Sequence, residues 1–275
     1  MTKWISGDGS RQPFILSIPF APFVQVDKDH PRYRSLIIRE KMSEMVDEGI
    51  VAPAGLIAHG RGEAFDYLMG EMSTANALRT ERAAVACLLE AKHPVLSVNG
   101  NTAALCAREM VTLSEIIPAR IEVNLFHRTE ERVEKVCRYL EREGARGVLG
   151  RKADGILPGV ASDRAKCTKE GILSADVVLV PIEDGDRAQA LVATGKQVIA
   201  IDLNPLSRTA QVAHFTIVDE ASRALGNMIS MVPELKSDHQ ARKALVSSFS
   251  NKRNLQESVA LICRRLQEIA AKGKS

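Results

Sequence analysis

The chain has 275 residues, a formal charge of +3, 45% hydrophobic and 26% charged residues, the balance of a globular protein that buries a real core. That charge is too small, and acids and bases too evenly mixed, to make nucleic acid a partner, and no apolar run is long enough to span a bilayer. The most apolar N-terminal stretch, 14–26, is cut by Pro19 and Pro22 and follows no basic leader, so neither a signal peptide nor a membrane partner is expected, and the cytoplasm is the expected location. Cys87, Cys106, Cys137, Cys167 and Cys263 are scattered, with no CxxC pair. They read as reduced thiols, not as a disulfide frame or a zinc site.

Residues 1–29 are rich in Pro, Gly and aromatics and show no sustained period. They read as an arm lying on the protein or on a partner, because Phe14, Leu16, Phe20 and Phe23 are costly to leave in water. Asp29 is placed to cap a helix over Arg32–Glu48, stopped by Gly49 and Pro53. Gly55–Glu63, with Arg61 between Gly60 and Gly62, reads as an exposed, ligand-facing loop. A helix fits Thr74–Ala91. From there apolar, β-branched runs alternate with helical segments. The predicted strands are Pro94–Val98, Ile121–Phe126, Ala175–Ile182, Gln197–Leu203 and Phe215–Val218. The predicted helices are Thr102–Glu115, Glu130–Glu143, Arg187–Thr194 and one from Glu220 onward. Such alternation implies parallel strands covered on both faces, a doubly wound, Rossmann-like α/β fold with added N- and C-terminal helical segments. The expected organisation is an arm over 1–29, a nucleotide-binding catalytic domain over 30–235 and a helical segment over 236–275. In the last, Leu255, Val259, Ile262, Leu266 and Ile269 form the seam of an amphipathic helix, packed on its own domain or on a second subunit.

Open α/β sheets bind ligands beyond the carboxyl ends of their strands. Four turns there carry chemistry. After the first strand, Asn99-Gly100-Asn101 opens a helix; glycine lets backbone approach an anion, although a plain tight turn accounts for it equally well. After the second, Asn124 stands at the strand end. Arg128 there has the place of a nucleotide-phosphate ligand, but a solvated arginine beside a Thr129 cap is the favoured reading. After the third, Glu183, Asp184 and Asp186 offer hard oxygen ligands for Mg²⁺, against an acidic helix start that merely complements the dipole. After the fourth, Asp202 is placed for ribose hydroxyls, Asn204 for an adenine edge, and Arg208 and Thr209 for phosphate at a helix start, with Ser207 an ordinary cap. Upstream, Arg32 and Arg39 share a helix face by their spacing of seven, and Arg39 with Arg61 can clamp anions. Among the histidines only His59 lies in a suggestive segment.

At these residues the chain resembles a known family. DHPRYRSLIIREK, GLIAHGRGEAFDYLMGE, PVLSVNGNTAAL, IEVNLFHRTEERV, ADVVLVPIEDGDRAQAL and IDLNPLSRTAQVAHFTIVD are similar to the archaeal 4-phosphopantoate–β-alanine ligases, or phosphopantothenate synthetases. The resemblance runs from about His30 to about Val232. It departs from the family at Glu220, where VDN is usual, and at His127, often tyrosine. It implies that the carboxylate of 4-phosphopantoate attacks the α-phosphate of ATP, giving an acyl-adenylate and pyrophosphate, after which the amine of β-alanine displaces AMP. It also implies a homodimer and ATP contacts from Arg39, Arg61, Asp202, Leu203, Asn204, Arg208, Thr209, Glu220 and Ala221. Arg61 stands with His59 and Glu63 as a catalytic candidate, the latter two as possible bases for the amine. Arg32, Asn99, Asn101 and Asn124 are candidate substrate contacts. The EDGD carboxylates are candidates for the Mg²⁺ of ATP. Two other readings compete. One is an NADP-dependent oxidoreductase, weakened by the missing GxGxxG; the other is a nucleotide-binding regulator without catalysis.

Overall fold

A computed structural model describes residues 27–30 and 32–272; the expected arm therefore lies, apart from its last residues, outside the described part. The chain divides at Ile37 into an N-terminal unit and a large one beginning at Ile38. In the first, the His30 carbonyl accepts from the N–H of Tyr33 and His30 Nδ1 from the N–H of Arg32. His30, rather than Asp29, therefore prepares the helix start.

Helix α1 covers Tyr33–Asp47, α2 Pro53–Met69 and α3 Ala75–Glu90. Strand β1 (Pro94–Val98), helix α4 (Gly100–Ile116), strand β2 (Arg120–Val123) and helix α5 (Glu130–Arg142) follow. Next comes a small antiparallel pair, β3 (Gly155–Ile156) with β4 (Lys166–Cys167), that encloses a 3-10 turn at Asp163–Ala165 and leads into a π-helix at Lys169–Leu173. Then come β5 (Val177–Pro181), α6 (Gly185–Ala193), β6 (Gln197–Ile201), α7 (Arg208–Val212), β7 (Phe215–Ile217), α8 (Ala221–Ser237), α9 (His239–Ser248) and α10 (Asn251–Lys272).

The five long strands form one parallel sheet in the order β2-β1-β5-β6-β7. Every residue of β1 and β5 is buried, as continuous apolar runs covered on both faces require. Side chains alternate between two cores. Leu96, Val98, Val123, Leu179, Ile199, Ile201 and Ile217 face α3, α4, α5 and α8. Val95, Val178, Val180, Val198 and Ala200 face Leu191 of α6 and Ile172 of the π-helix.

Segment 55–63 is helical, not a loop. Pro53 opens α2 at a position that needs no N–H, and Gly70 at φ 95° ends it by donating to the carbonyls of Asp66 and Tyr67. The C-terminal segment packs within the large unit: Asn254 of α10 donates to the Thr216 carbonyl and accepts from Thr80 Oγ1. Of the expected α10 seam, Leu255 is buried and Ile262 packs beside it, whereas Leu266 and Ile269 are exposed. All five cysteines are free, four of them buried.

Candidate functional site

The strand order reverses between β1 and β5, and at such a switch point a doubly wound sheet opens its crevice. Here Asn99 crosses it. The Asn99 amide donates to the carbonyls of Pro181 and Ile182 at 3.1 and 2.9 Å, and its Oδ1 caps α4 by accepting from the Thr102 N–H at 2.9 Å. Asn101 donates to the Gly55 carbonyl at 2.8 Å, tying α2 to α4. Asn124 is fully buried and donates to the carbonyls of Arg164 and Lys166 at 3.2 and 3.0 Å. The three asparagines among the predicted substrate contacts thus spend their amide nitrogens on backbone carbonyls of neighbouring segments. Gly100 does approach a neighbour closely, but that neighbour is the chain itself: a Cβ there would stand 2.3 Å from the Ile50 carbonyl oxygen. Thr129 caps α5, and Arg128 donates to the Gly150 carbonyl.

The carboxylates after β5 do not converge on a metal site. Ile182 has φ 51°, a conformation that a β-branched residue rarely holds. Beyond it Glu183 is buried and bridges the guanidinium groups of Arg164 and Arg187. Asp184 caps α6 by accepting from the Arg187 N–H at 2.8 Å. Asp186 stands exposed and pairs with Arg208 at 2.7 Å. Among the described residues no group of three His, Cys, Asp or Glu side chains could hold a metal ion. Of the three expected Mg²⁺ ligands, Glu183 is engaged by two buried arginines, Asp184 by the start of α6 and Asp186 by Arg208.

The other predicted residues meet where α2 passes the ends of β6 and β7. A Cβ on Gly62 would lie 3.6 Å from Leu203 Cδ1, and Arg61 is close enough to Asp202 to stabilise its charge. Burial nevertheless raises the Asp202 pKa, opposed by hydrogen bonds from Ser207 and the Asn204 N–H. Asn204 Oδ1 accepts from the Leu206 N–H at 2.9 Å, Ser207 caps α7, and Thr209 Oγ1 donates to the Glu183 carbonyl at 2.8 Å. Directly after Gly62 on α2, Glu63 takes a forked pair of hydrogen bonds from Arg39 (Nη2 at 2.8 Å) and one from Tyr67 at 2.9 Å. His59 Nε2 is buried without a partner. Burial lowers the His59 pKa; the charges of Glu63 and Glu220 pull it up and that of Arg39 pulls it down. Those effects place Arg39, His59, Glu63 and Glu220 together. A neutral imidazole with an unpartnered ring nitrogen is equipped to take a proton, whereas Glu63 is already held by an arginine. Glu220 caps α8, accepting from the N–H groups of Ser222 and Arg223 at 2.9 and 3.0 Å, so Ala221 is the first helical residue. Arg32 belongs to the N-terminal unit and is described there alone.

Sequence reasoning missed the polar tie behind this face. Arg223 of α8 pairs with Asp66 of α2 at 2.6 Å and through Nε with Asp219 at 2.8 Å. Ser73 also donates to Asp219, at 2.5 Å, and Asn227 donates to Ser73. Glu81 of α3 lies beside Asp219, fully buried, its pKa raised to about 8 first by burial and then by the Asp219 charge. An Arg at the fourth position after an Asp was visible in the sequence; its bridge to Asp66 was not.

The family model described as phosphopantothenate/pantothenate synthetase matches residues 76–265. The chain belongs to that family. Similar relatives include a 4-phosphopantoate–beta-alanine ligase of Methanosarcina mazei, 52% identical over 247 residues that make up 90% of this chain and 97% of that one. Those of Methanospirillum hungatei and Thermococcus kodakarensis are 55% and 47% identical, over 78% and 91% of this chain and 87% and 97% of theirs. Membership makes the chain an enzyme of the ligase class and displaces both the oxidoreductase and the non-catalytic readings.

Proposed function

We propose that the protein joins 4-phosphopantoate to β-alanine through an acyl-adenylate, consuming ATP and releasing AMP and pyrophosphate. The placement of α2 against the ends of β6 and β7 carries this reading, because it gathers two arginines, an unpartnered imidazole and the Asp202 turn at one rim of the sheet. In it ATP lies across Arg39, Arg61, Asp202, Leu203, Asn204, Arg208, Thr209, Glu220 and Ala221. A carboxylate oxygen of the acid attacks the α-phosphorus and pyrophosphate leaves. The guanidinium groups offset the charge that gathers on the phosphoryl oxygens. The β-alanine nitrogen then attacks the acyl carbon and AMP leaves with the former carboxylate oxygen. The amine proton passes to His59 Nε2, kept neutral by burial. Arg39 exchanges part of its pairing with Glu63 for nucleotide phosphate. Mg²⁺ belongs to this reading only as the counter-ion of ATP, and no carboxylate of the chain is assigned to it.

Cytoplasmic location and a homodimer are part of the same reading. Free cysteines support the first, and the exposed Leu266 and Ile269 on α10 support the second. No helix among the described residues is long and apolar enough to cross a membrane. The test is to incubate the protein with ATP, 4-phosphopantoate and β-alanine. AMP and pyrophosphate in equal amounts are expected; ADP with phosphate would replace the adenylate by an acyl phosphate.

A further inference from the structure

Most of the buried side-chain polar atoms without a partner, among the described residues, stand in one region away from α2. They are Arg128 Nη1, Arg132 Nε, Arg187 Nε and Nη2 and Asn124 Oδ1; Arg164 Nε and Asp184 Oδ2, which make no hydrogen bond, form an ion pair with each other at 3.5 Å. Their residues come from segments that meet over the tips of β2, β1 and β5. Arg128 and Arg132 follow β2 in the loop and first turn of α5. Arg164 sits in the 3-10 turn of the β3–β4 insertion, its carbonyl held by Asn124. Arg187, fully buried, reaches from α6 to Ser97 Oγ of β1 at 3.1 Å.

Buried arginines are tolerated when they are paired and hydrogen-bonded. These are only half provided for. Glu183 and Asp184 face Arg164 and Arg187, and Glu122, which accepts from Thr168 and Ile172, lies beneath on β2. The guanidinium groups outnumber these carboxylates whichever way Glu122 is protonated. Burial, followed by the neighbouring Arg187, pushes the pKa of Arg164 down to about 9, and Arg132 adds to the effect. An arginine stays charged at neutral pH all the same, and burial, the first cause of the depression, is offset only in part by Asp184. Unpartnered Nε and Nη groups on several guanidiniums form a donor set for an anion with several oxygens. A phosphate monoester, with a charge of roughly −1.5 to −2 at neutral pH, fits that set better than a single carboxylate.

We infer that Arg128, Arg132, Arg164 and Arg187 form a second anion subsite, over the tips of β2, β1 and β5, that takes the phosphate of the phosphorylated acid. The inference rests on the ligase reading for the identity of the acid, not for the existence of the subsite. It divides the rim of the sheet, with nucleotide at β6 and β7 and the acid's phosphate at β2, β1 and β5. Its carboxylate end then points along the rim toward the α-phosphate, and the crossing by Asn99 lies between the two anions.

Calorimetric titration of the full chain tests it with 4-phosphopantoate, with pantoate and with ATP. Wild type should bind 4-phosphopantoate at least about tenfold more tightly than pantoate, as expected when charge-assisted bonds to a phosphate are lost. Arg187→Met and Arg128→Gln should each weaken 4-phosphopantoate by about tenfold or more and leave ATP within about twofold. Removing Arg187 strands Glu183 and can prevent folding; Arg128, half-buried and at the edge of the cluster, serves when it does. Inorganic phosphate supplies a readout that needs no substrate, since it should raise the melting temperature of wild type and not of Arg128→Gln. Phosphate protection lost in the variant, with no AMP formed from any substrate pair, would leave the subsite standing and overturn the ligase reading. Normal AMP formation with an unchanged KM for 4-phosphopantoate in Arg128→Gln and Arg132→Gln would do the reverse. Equal losses for ATP and 4-phosphopantoate, or wild type that binds pantoate equally well and gains nothing from phosphate, would also overturn the inference, the buried donors then holding water.

Discussion

Glu81→Gln should change how stability depends on pH. Glu81 is fully buried beside Asp219, and Asp219 carries the negative charge of the ion pair with Arg223. Burial and that charge raise the Glu81 pKa from an ordinary 4.5 to about 8. The two carboxyls therefore keep one proton between them around neutrality. Since the folded protein holds this proton and the unfolded chain releases it above 4.5, stability falls as pH rises from 4.5 and levels off above 8. At about 1.4 kcal/mol per pH unit the whole loss is ~5 kcal/mol, of which ~3 is already incurred at pH 7. Glutamine keeps the shape, stays neutral beside Asp219 as the protonated acid does, and has no proton to release. Urea unfolding of both proteins at steps between pH 5 and 8.5 reads the difference. Wild type should lose several kcal/mol more than the variant over that range, and the variant should be the more stable at pH 8. Parallel curves, or a variant less stable at every pH, would refute the shared proton.

Three further substitutions bear on the site and its frame. Arg61→Ala should reduce kcat/KM for ATP by roughly ten- to a hundredfold, the loss of a charged phosphate contact of about 1.5–3 kcal/mol, without lowering the melting temperature; an unchanged rate with a lowered melting temperature would make Arg61 structural. Asn204→Asp keeps the acceptor that holds the Leu206 N–H and removes the amide donor, so ATP affinity should drop severalfold while stability holds; a stability loss with unaltered affinity would reduce Asn204 to a turn residue. Gly100→Ala places a methyl 2.3 Å from a backbone carbonyl and should cost about 1–3 kcal/mol in chemical unfolding, the usual scale of overpacking; an unaffected midpoint would show that the α4 start yields easily.

The parallel sheet was legible because its strands are short, apolar and buried on both faces, so that each run stood out between helical periods. Its tips were legible as places, but the partners of their side chains were not. Nothing in Glu183-Asp184-Gly185-Asp186 tells that the first carboxylate turns inward after a positive φ at Ile182, where it meets arginines from the insertion and from α6. Asn99, Asn101 and Asn124 could equally have faced ligand; only the fold shows their amides on backbone carbonyls. Gly60 and Gly62 disguised α2 as a loop, because glycine is a poor helix former, and packing overrode that preference. Arg164 lies in a stretch without period, and no local signal distinguishes a buried arginine from a solvated one.

The scarcity of apolar anchorage along α2 has a dynamic consequence. Of its seventeen residues only Met69, at the last turn, is buried. The remainder is fastened by polar ties: Asn101 to the Gly55 carbonyl, Arg223 to Asp66, Arg265 to the Leu68 carbonyl. Such ties contribute only about 1–3 kcal/mol each net. The helix bearing His59, Arg61 and Glu63 should therefore open as a unit at a free energy well below that of global unfolding. Its amides should exchange with deuterium orders of magnitude faster than those of β5, and nucleotide that bridges Arg61 and the Asp202 turn should slow them selectively. The segment that reads the substrates would then be the one that the substrates themselves make rigid.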